Sequence, residues 1–200
     1  MKFPAGLRAA RGLTLVEVLV VLTLVGVLLA LAAPSFKRMI DLQRLRGING
    51  NLLTDLQLAR SEAASRNVRV FVNFDNSEGS PTCYVVLTGD RKDCDCKKQP
   101  GIDVCGTLAR EIRTVQVERS LGVTVALPSS QSARALGFEP ATGRLIAVIS
   151  DIPKEAVEPF LVDTTLANVG ALRNALEVTG RPTTCSPSGQ ISGVPTCTTP

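Results

Sequence analysis

Residues 11–34 read RGLTLVEVLVVLTLVGVLLALAAP, an apolar run interrupted by a single acid, Glu17. From Leu13 to Ala33 the run has 21 residues. As a helix rising ~1.5 Å per residue it spans about 30 Å, the thickness of a bilayer's hydrocarbon core. Lys2, Arg8 and Arg11 precede it with no acid among them, which puts the N-terminus on the cytoplasmic side and everything after Pro34 across the membrane. A secretory signal has a shorter apolar core. Ala32-Ala33 imitates its cleavage site, but the length favours a retained anchor. Glu17 is what a plain anchor leaves unexplained. An acid near the centre of a membrane helix costs about 2.5–3.5 kcal/mol, less near its end, and the run holds no Lys or Arg to pair with it. Cleavage after Gly12 would create an amine on Leu13, four residues from Glu17, with a reference pKa of about 8. That amine on one subunit, meeting Glu17 of the next, would remove two lone charges from lipid together and fix the axial register of packed helices.

The chain's 200 residues suffice for one ordinary domain beyond that anchor. Trp is absent and aromatics are scarce, so the core must come from Val, Leu, Ile and Ala. The net charge of +4 is concentrated before and just after the apolar run: from Gly47 onward 15 basic residues face 16 acidic ones. A near-neutral head lacks the concentrated basic face that nucleic acids require. There is no histidine, which removes the commonest general base and metal ligand. No Gly-rich phosphate loop occurs, and Ser188 in SPSG lacks the strand–turn–helix setting of a nucleophile. Enzymatic chemistry and a bound cofactor are therefore not expected.

Beyond the run, Leu45, Ile48, Leu52, Leu56, Ala59 and Ala63 step by three or four residues, an amphipathic stripe that predicts helix to about 65–67. Arg44, Asn51, Asp55, Arg60 and Glu62 fall mostly off it. Arg60, Glu62 and Arg66 read as a solvated face with i,i+4 pairs. Pro34 should bend a continuing helix, and Gly47 and Gly50 weaken it by about 1 kcal/mol each. After Asn67 the period changes. VRVFVNF, CYVVLTG, REIRTVQVE (with one slip in its alternation), GVTVALP, ALGFEPATGRLIAVI and FLVDTTL read as strands, residues 139–143 as a hairpin turn, and NALEVTGRP as a last strand and turn. The expectation is an α+β fold, one long N-terminal helix on an antiparallel β-sheet. Its divisions are a leader at 1–12, a transmembrane helix at 13–33, an amphipathic stem at 34–67 and a β-rich head at 68–200.

Six cysteines behind an export-type N-terminus point to disulfides. Cys185 and Cys197 flank SPSGQISGVPT, too polar and rich in Pro and Gly to order itself, and a bridge there would pin the tail. Cys83, Cys94, Cys96 and Cys105 would pair within one insertion, in an order the sequence leaves open. Their spacing suits zinc poorly.

Gly12-Leu13-Thr14-Leu15-Val16-Glu17 resembles the type IV pilin motif, in which a prepilin peptidase cuts after Gly and the new N-terminus is methylated. Glu17 matches that family's fifth mature residue and Pro34 its common proline; Leu13 stands where Phe or Met is usual. Leu53, Asp55, Leu56, Ala59, Arg60, Ser61, Glu62, Ala63 and Arg66, running into the first strand, resemble the start of the GspH/FimT pseudopilin head, and GFEPATGRL resembles its mid-head hairpin. The resemblance implies a minor pilin or pseudopilin of a type II secretion pseudopilus or a type IV pilus. Such a subunit is single-pass in the bacterial inner membrane with its head in the periplasm, and assembles near a filament tip. Its partners would be prepilin peptidase, other pilins and the assembly machinery. FimT-like members carry a C-terminal G-R-x-R that contacts DNA during uptake. Here the stretch is Gly180-Arg181-Pro182-Thr183, so only Arg181 carries over, and a turn residue is the favoured reading.

Overall fold

A computed structural model describes residues 14–75, 82–98 and 104–198. The chain divides into two compact units, one ending at Ile40 and one running from Asp41 to Pro200. Helix α1 (Leu15–Arg66) supplies the body of the first and the opening element of the second. In the N-terminal unit its apolar side chains face outward all round: Leu15, Val20, Leu24, Leu28 and Leu31 are each about half exposed or more. The helix begins after Thr14, whose Oγ1 accepts the Glu17 N–H at 3.3 Å. This is an N-cap that satisfies one of the four orphan amides of a helix start.

In the second unit the rest of α1 buries Leu45, Leu52, Leu56, Ala59 and Ala63, the stripe legible in the sequence. Asn67, at φ 53°, takes the left-handed conformation that stops a helix. Ten strands follow among the described residues: β1 (Val70–Asp75), β2 (Thr82–Gly89), β3 (Ala109–Val117), β4 (Val123–Ala126), β5 (Ala135–Phe138), β6 (Leu145–Ile149), β7 (Ile152–Glu155), β8 (Phe160–Leu166), β9 (Gly170–Leu176) and β10 (Pro182–Cys185). They form not one sheet but two, ordered β3-β2-β1-β5-β6-β7 and β10-β9-β8-β4, with every pairing antiparallel. One core joins helix and sheets, holding Tyr84, Leu136, Phe138 and Leu145 from the first sheet with Phe160, Val162, Leu172 and Leu176 from the second.

Three features add to the sequence reading. The slip in REIRTVQVE is a β-bulge: the register against β2 jumps from Val86↔Arg113 to Leu87↔Glu111. The extra residue lets Ile112 and Val115, three apart, both face the core. β7 and β10 were not expected. β7 is exposed at all four positions, so it shows no alternation. β10 carries Pro and two Thr on the sheet edge, where Pro is tolerated. Finally, the polar C-terminal stretch does order: Ile191 is buried, Ser186 bridges Thr196, and the Ser192 carbonyl accepts from Arg46 Nη2 at 2.6 Å.

The outer face of the six-stranded sheet holds a second apolar cluster of Phe71, Val85, Leu87, Ala135, Ile146 and Val148, covered by Cys96 and Val104 of the insertion between β2 and β3. Cys83–Cys96 ties that insertion to β2 and Cys94–Cys105 closes it on itself. Cys185–Cys197 joins β10 to the tail. With all six sulfurs in bridges, no thiolate is left for a metal, and no metal-ligating cluster occurs among the described residues.

Candidate assembly helix and head clamp

The chemistry of α1's first turn is set by Thr14 and Glu17. Glu17 is exposed, three residues beyond the cap, where the partial positive charge of a helix start favours an acid. Gly12 and Leu13 lie outside the described residues. Pro34 falls inside α1. A window of this helix has a mean hydropathy of 2.8, long and apolar enough to cross a membrane. With Leu and Val on every side and one carboxylate at its start, its stable settings are lipid or a bundle of like helices.

In the head, three polar contacts hold α1 on the sheets. Asp55, which the sequence reading put off the stripe, is buried beside Leu56. Its Oδ2 accepts the Tyr84 hydroxyl at 2.7 Å, and its Oδ1 lies 3.0 Å from Arg113 Nε, a charge contact that misses hydrogen-bond geometry. Burial pushes the Tyr84 phenol well above its usual range, and the Asp55 carboxylate pushes the same way. Asn49, also buried, pairs with Asn174 of β9. Asn174 Nδ2 donates to Asn49 Oδ1 at 2.7 Å, Asn49 Nδ2 donates back at 3.3 Å, and Thr184 of β10 donates to Asn174 Oδ1 at 2.8 Å. Buried polar groups are tolerated when paired in this way.

The third contact is Arg60, which is not merely solvated. Its Nη2 donates to the Thr179 carbonyl at 3.0 Å, and the guanidinium lies over two buried glycines, Gly143 and Gly180. Both have positive φ, 65° and 78°. A Cβ on Gly180 would sit 2.3 Å from the Gly143 carbonyl oxygen, and one on Gly143 2.8 Å from Arg60 Nε. One helix cation thus clamps two turns. The first is the 139–143 hairpin, closed by Gly143 N–H to Glu139 O at 2.8 Å, with the Glu139 carboxylate accepting from Ala141 N–H at 3.0 Å. The second is the 177–181 turn, closed by Gly180 N–H to Glu177 O at 2.7 Å. Glu62 and Arg66 do form the expected i,i+4 pair. Arg181 stands exposed at the second turn, beside Arg60 in a groove, and Thr183 two residues on adds no charge. Composition could not reveal the roles of Asp55, Asn49 and Arg60. Their signal was position: two lie within the helix's apolar spacing, and the third faces two glycine-bearing turns.

A lipid-compatible helix bearing one carboxylate in its first turn, together with an antiparallel β head carried on the same helix's end, defines a pilin-like subunit. Residues 50–158 match the family described as Type II transport protein GspH, and residues 7–33 match the prokaryotic N-terminal methylation motif. The chain belongs to the GspH family. It is a minor pilin or pseudopilin, and its family is one of structural subunits rather than enzymes. The methylation motif implies processing by prepilin peptidase and assembly with other pilin-family subunits. The GspH match covers α1's end through β7 and stops before β8–β10 and the tail. No curated protein and no solved structure matches the chain significantly.

Proposed function

We propose that the chain is cut after Gly12, methylated on Leu13 and held as a single-pass inner-membrane protein with its head in the periplasm until it enters a filament near the tip. In this reading residues 1–12 are the leader, 13–33 the membrane and filament-core helix, 34–67 the stem and 68–200 the head. Pro34 sets where core helix gives way to stem. The observation that carries the reading is a helix with exposed apolar side chains all round and one acid, Glu17, in its capped first turn, four residues beyond Leu13. On leaving lipid, Glu17 of one subunit pairs with the new amine of its neighbour, so each subunit is drawn to one axial position. The host is a type II secretion pseudopilus or a type IV pilus.

Glu17→Ala in the full-length protein tests it. Membrane insertion should be unchanged, leader removal should proceed, and incorporation into filaments should fall sharply. Full incorporation of this variant, or a filament-borne chain whose N-terminal mass still includes Met1, would refute the pairing. The DNA-uptake alternative rests on Arg181, and the groove adds one further cation, Arg60, which gives one N–H to the Thr179 carbonyl. Two cations are too few for the phosphate contacts that give useful affinity, so the structural reading is preferred.

A further inference from the structure

The groove at Arg60 is not used by the assembly of α1. It is an open surface groove of about 670 Å3 between Gln57, Arg60 and Ala64 of the helix and the two clamped turns. Arg60 is half-buried, and of its five N–H donors only one, on Nη2, has a partner among the described residues. Arg181 stands on the rim, exposed, with no side-chain partner among them. Pro140, Ala141 and Pro182 line the groove with the two cations. Among the described residues no acid lines the groove, and Glu139 of the adjoining hairpin turns its carboxylate into that hairpin, accepting from Ala141 and Thr142. The groove therefore offers planar cationic donors beside the small apolar side chains of Ala64, Pro140, Ala141 and Pro182, the complement of a single carboxylate on a small apolar stem.

The same end of the head presents such a stem. In the loop between β7 and β8, Val157 is 90% exposed and Glu158 is exposed, with no ion-pair partner among the described residues; Pro159 follows. The loop leaves the sheet close to the groove. Ala156 N–H bonds to Leu145 O at 3.0 Å, Leu145 N–H bonds to Val178 O at 3.0 Å, and Gly143 and Gly180 flank these residues in sequence. A donor loop and an acceptor groove on one surface are self-complementary, so a two-fold arrangement lets each copy seat its loop in the other's groove. We propose that the Arg60–Arg181 groove takes the Val157–Glu158 loop of a second copy of this chain. Val157 lies against Pro140 and Pro182, and the Glu158 carboxylate sits on the guanidiniums. The contact lies wholly in the head and does not depend on Glu17.

All six native cysteines are bonded, so engineered ones report cleanly. Full-length chains carrying Ser61→Cys and Val157→Cys on separately tagged copies, co-expressed in membranes, should give a mixed disulfide-linked dimer. Arg181→Glu in the Ser61→Cys copy should lower its yield about tenfold or more, since like charges then face each other. Glu158→Arg in the Val157→Cys copy should restore it, which a folding defect would not allow. The same dimer should form when both copies also carry Glu17→Ala, separating this contact from helix pairing. No dimer, a yield indifferent to Arg181→Glu, failure of the charge swap, or cross-linking of Val157→Cys to a different pilin instead would each overturn the proposal. So would retention of a labelled DNA oligonucleotide by the full-length chain that is lost in Arg181→Glu, which would assign the groove to phosphate.

Discussion

Tyr84 is the chain's only tyrosine, and there is no tryptophan, so its ultraviolet signal reports one site. Its phenol is held above the usual range by burial and by Asp55. A folded pKa raised above the unfolded value of about 10 gives a contribution fully present below that pH and lost as pH rises beyond it. Tyrosinate absorbance should therefore stay absent above pH ~10 until the head unfolds, and should then appear together with loss of circular dichroism. Ionisation along an ordinary phenol curve in the folded head would contradict the buried bond. Tyr84→Phe removes the donor to Asp55 Oδ2 and should cost about 1–3 kcal/mol, the penalty of stranding a buried acceptor. Glycines separate by what surrounds them. A Cβ at Gly50 meets nothing within 4 Å, so Gly50→Ala should stabilise the helix by up to about 1 kcal/mol. Gly180→Ala drives a Cβ into the Gly143 carbonyl at positive φ and should lower the melting temperature markedly.

At the scale of the element, the insertion between β2 and β3 covers an apolar sheet face with few buried side chains of its own, chiefly Cys96 and Val104. Polar and covalent contacts add to that hold. Asn73 Nδ2 donates to Arg91 O at 2.7 Å and Gln116 Nε2 to Cys96 O at 2.7 Å, and Asp151 in the β6–β7 turn pairs with Arg91 and Lys92. Hydrogen bonds from Arg91, then Lys92, hold the Asp151 carboxyl below its ordinary value. That attachment is present above the normal carboxylate range and is lost as pH falls through the depressed value. Replacing Cys83 and Cys96 by Ser should cost about 2–4 kcal/mol and should increase both hydrophobic-dye binding and protease cutting within 90–98. Replacing Cys185 and Cys197 should release the tail while leaving dye binding at the sheet face unchanged. Equal dye binding by the two variants would show that the insertion stays in place without its anchor to β2.

For the whole molecule, the division at Ile40 and Asp41 separates two kinds of stability. The first unit has apolar side chains facing outward and depends on lipid or on neighbouring helices. The second has its own core. Val25→Arg, a charge within the apolar run, should oppose membrane insertion by about 2.5–3.5 kcal/mol, read by membrane fractionation. It should leave the alkaline titration of Tyr84 as it was. A shift in that titration would mean that the head needs the inserted helix to fold.

The sequence by itself determined whatever depends on neighbours along the chain. The apolar run with Glu17, the stem's stripe from Leu45 to Ala63 and the alternating strands all have a period that local geometry imposes. Even the bulge at Ile112 was visible as a slip. What only the tertiary structure decided was which distant residues meet. It divided the strands between two sheets, because antiparallel partners are chosen by packing rather than by sequence order. It put Asp55 and Asn49 in the interior, because Tyr84 and Asn174 arrive there from far along the chain to satisfy them. It made Arg60 a clamp, because two remote glycine turns leave room for a guanidinium where no Cβ would fit.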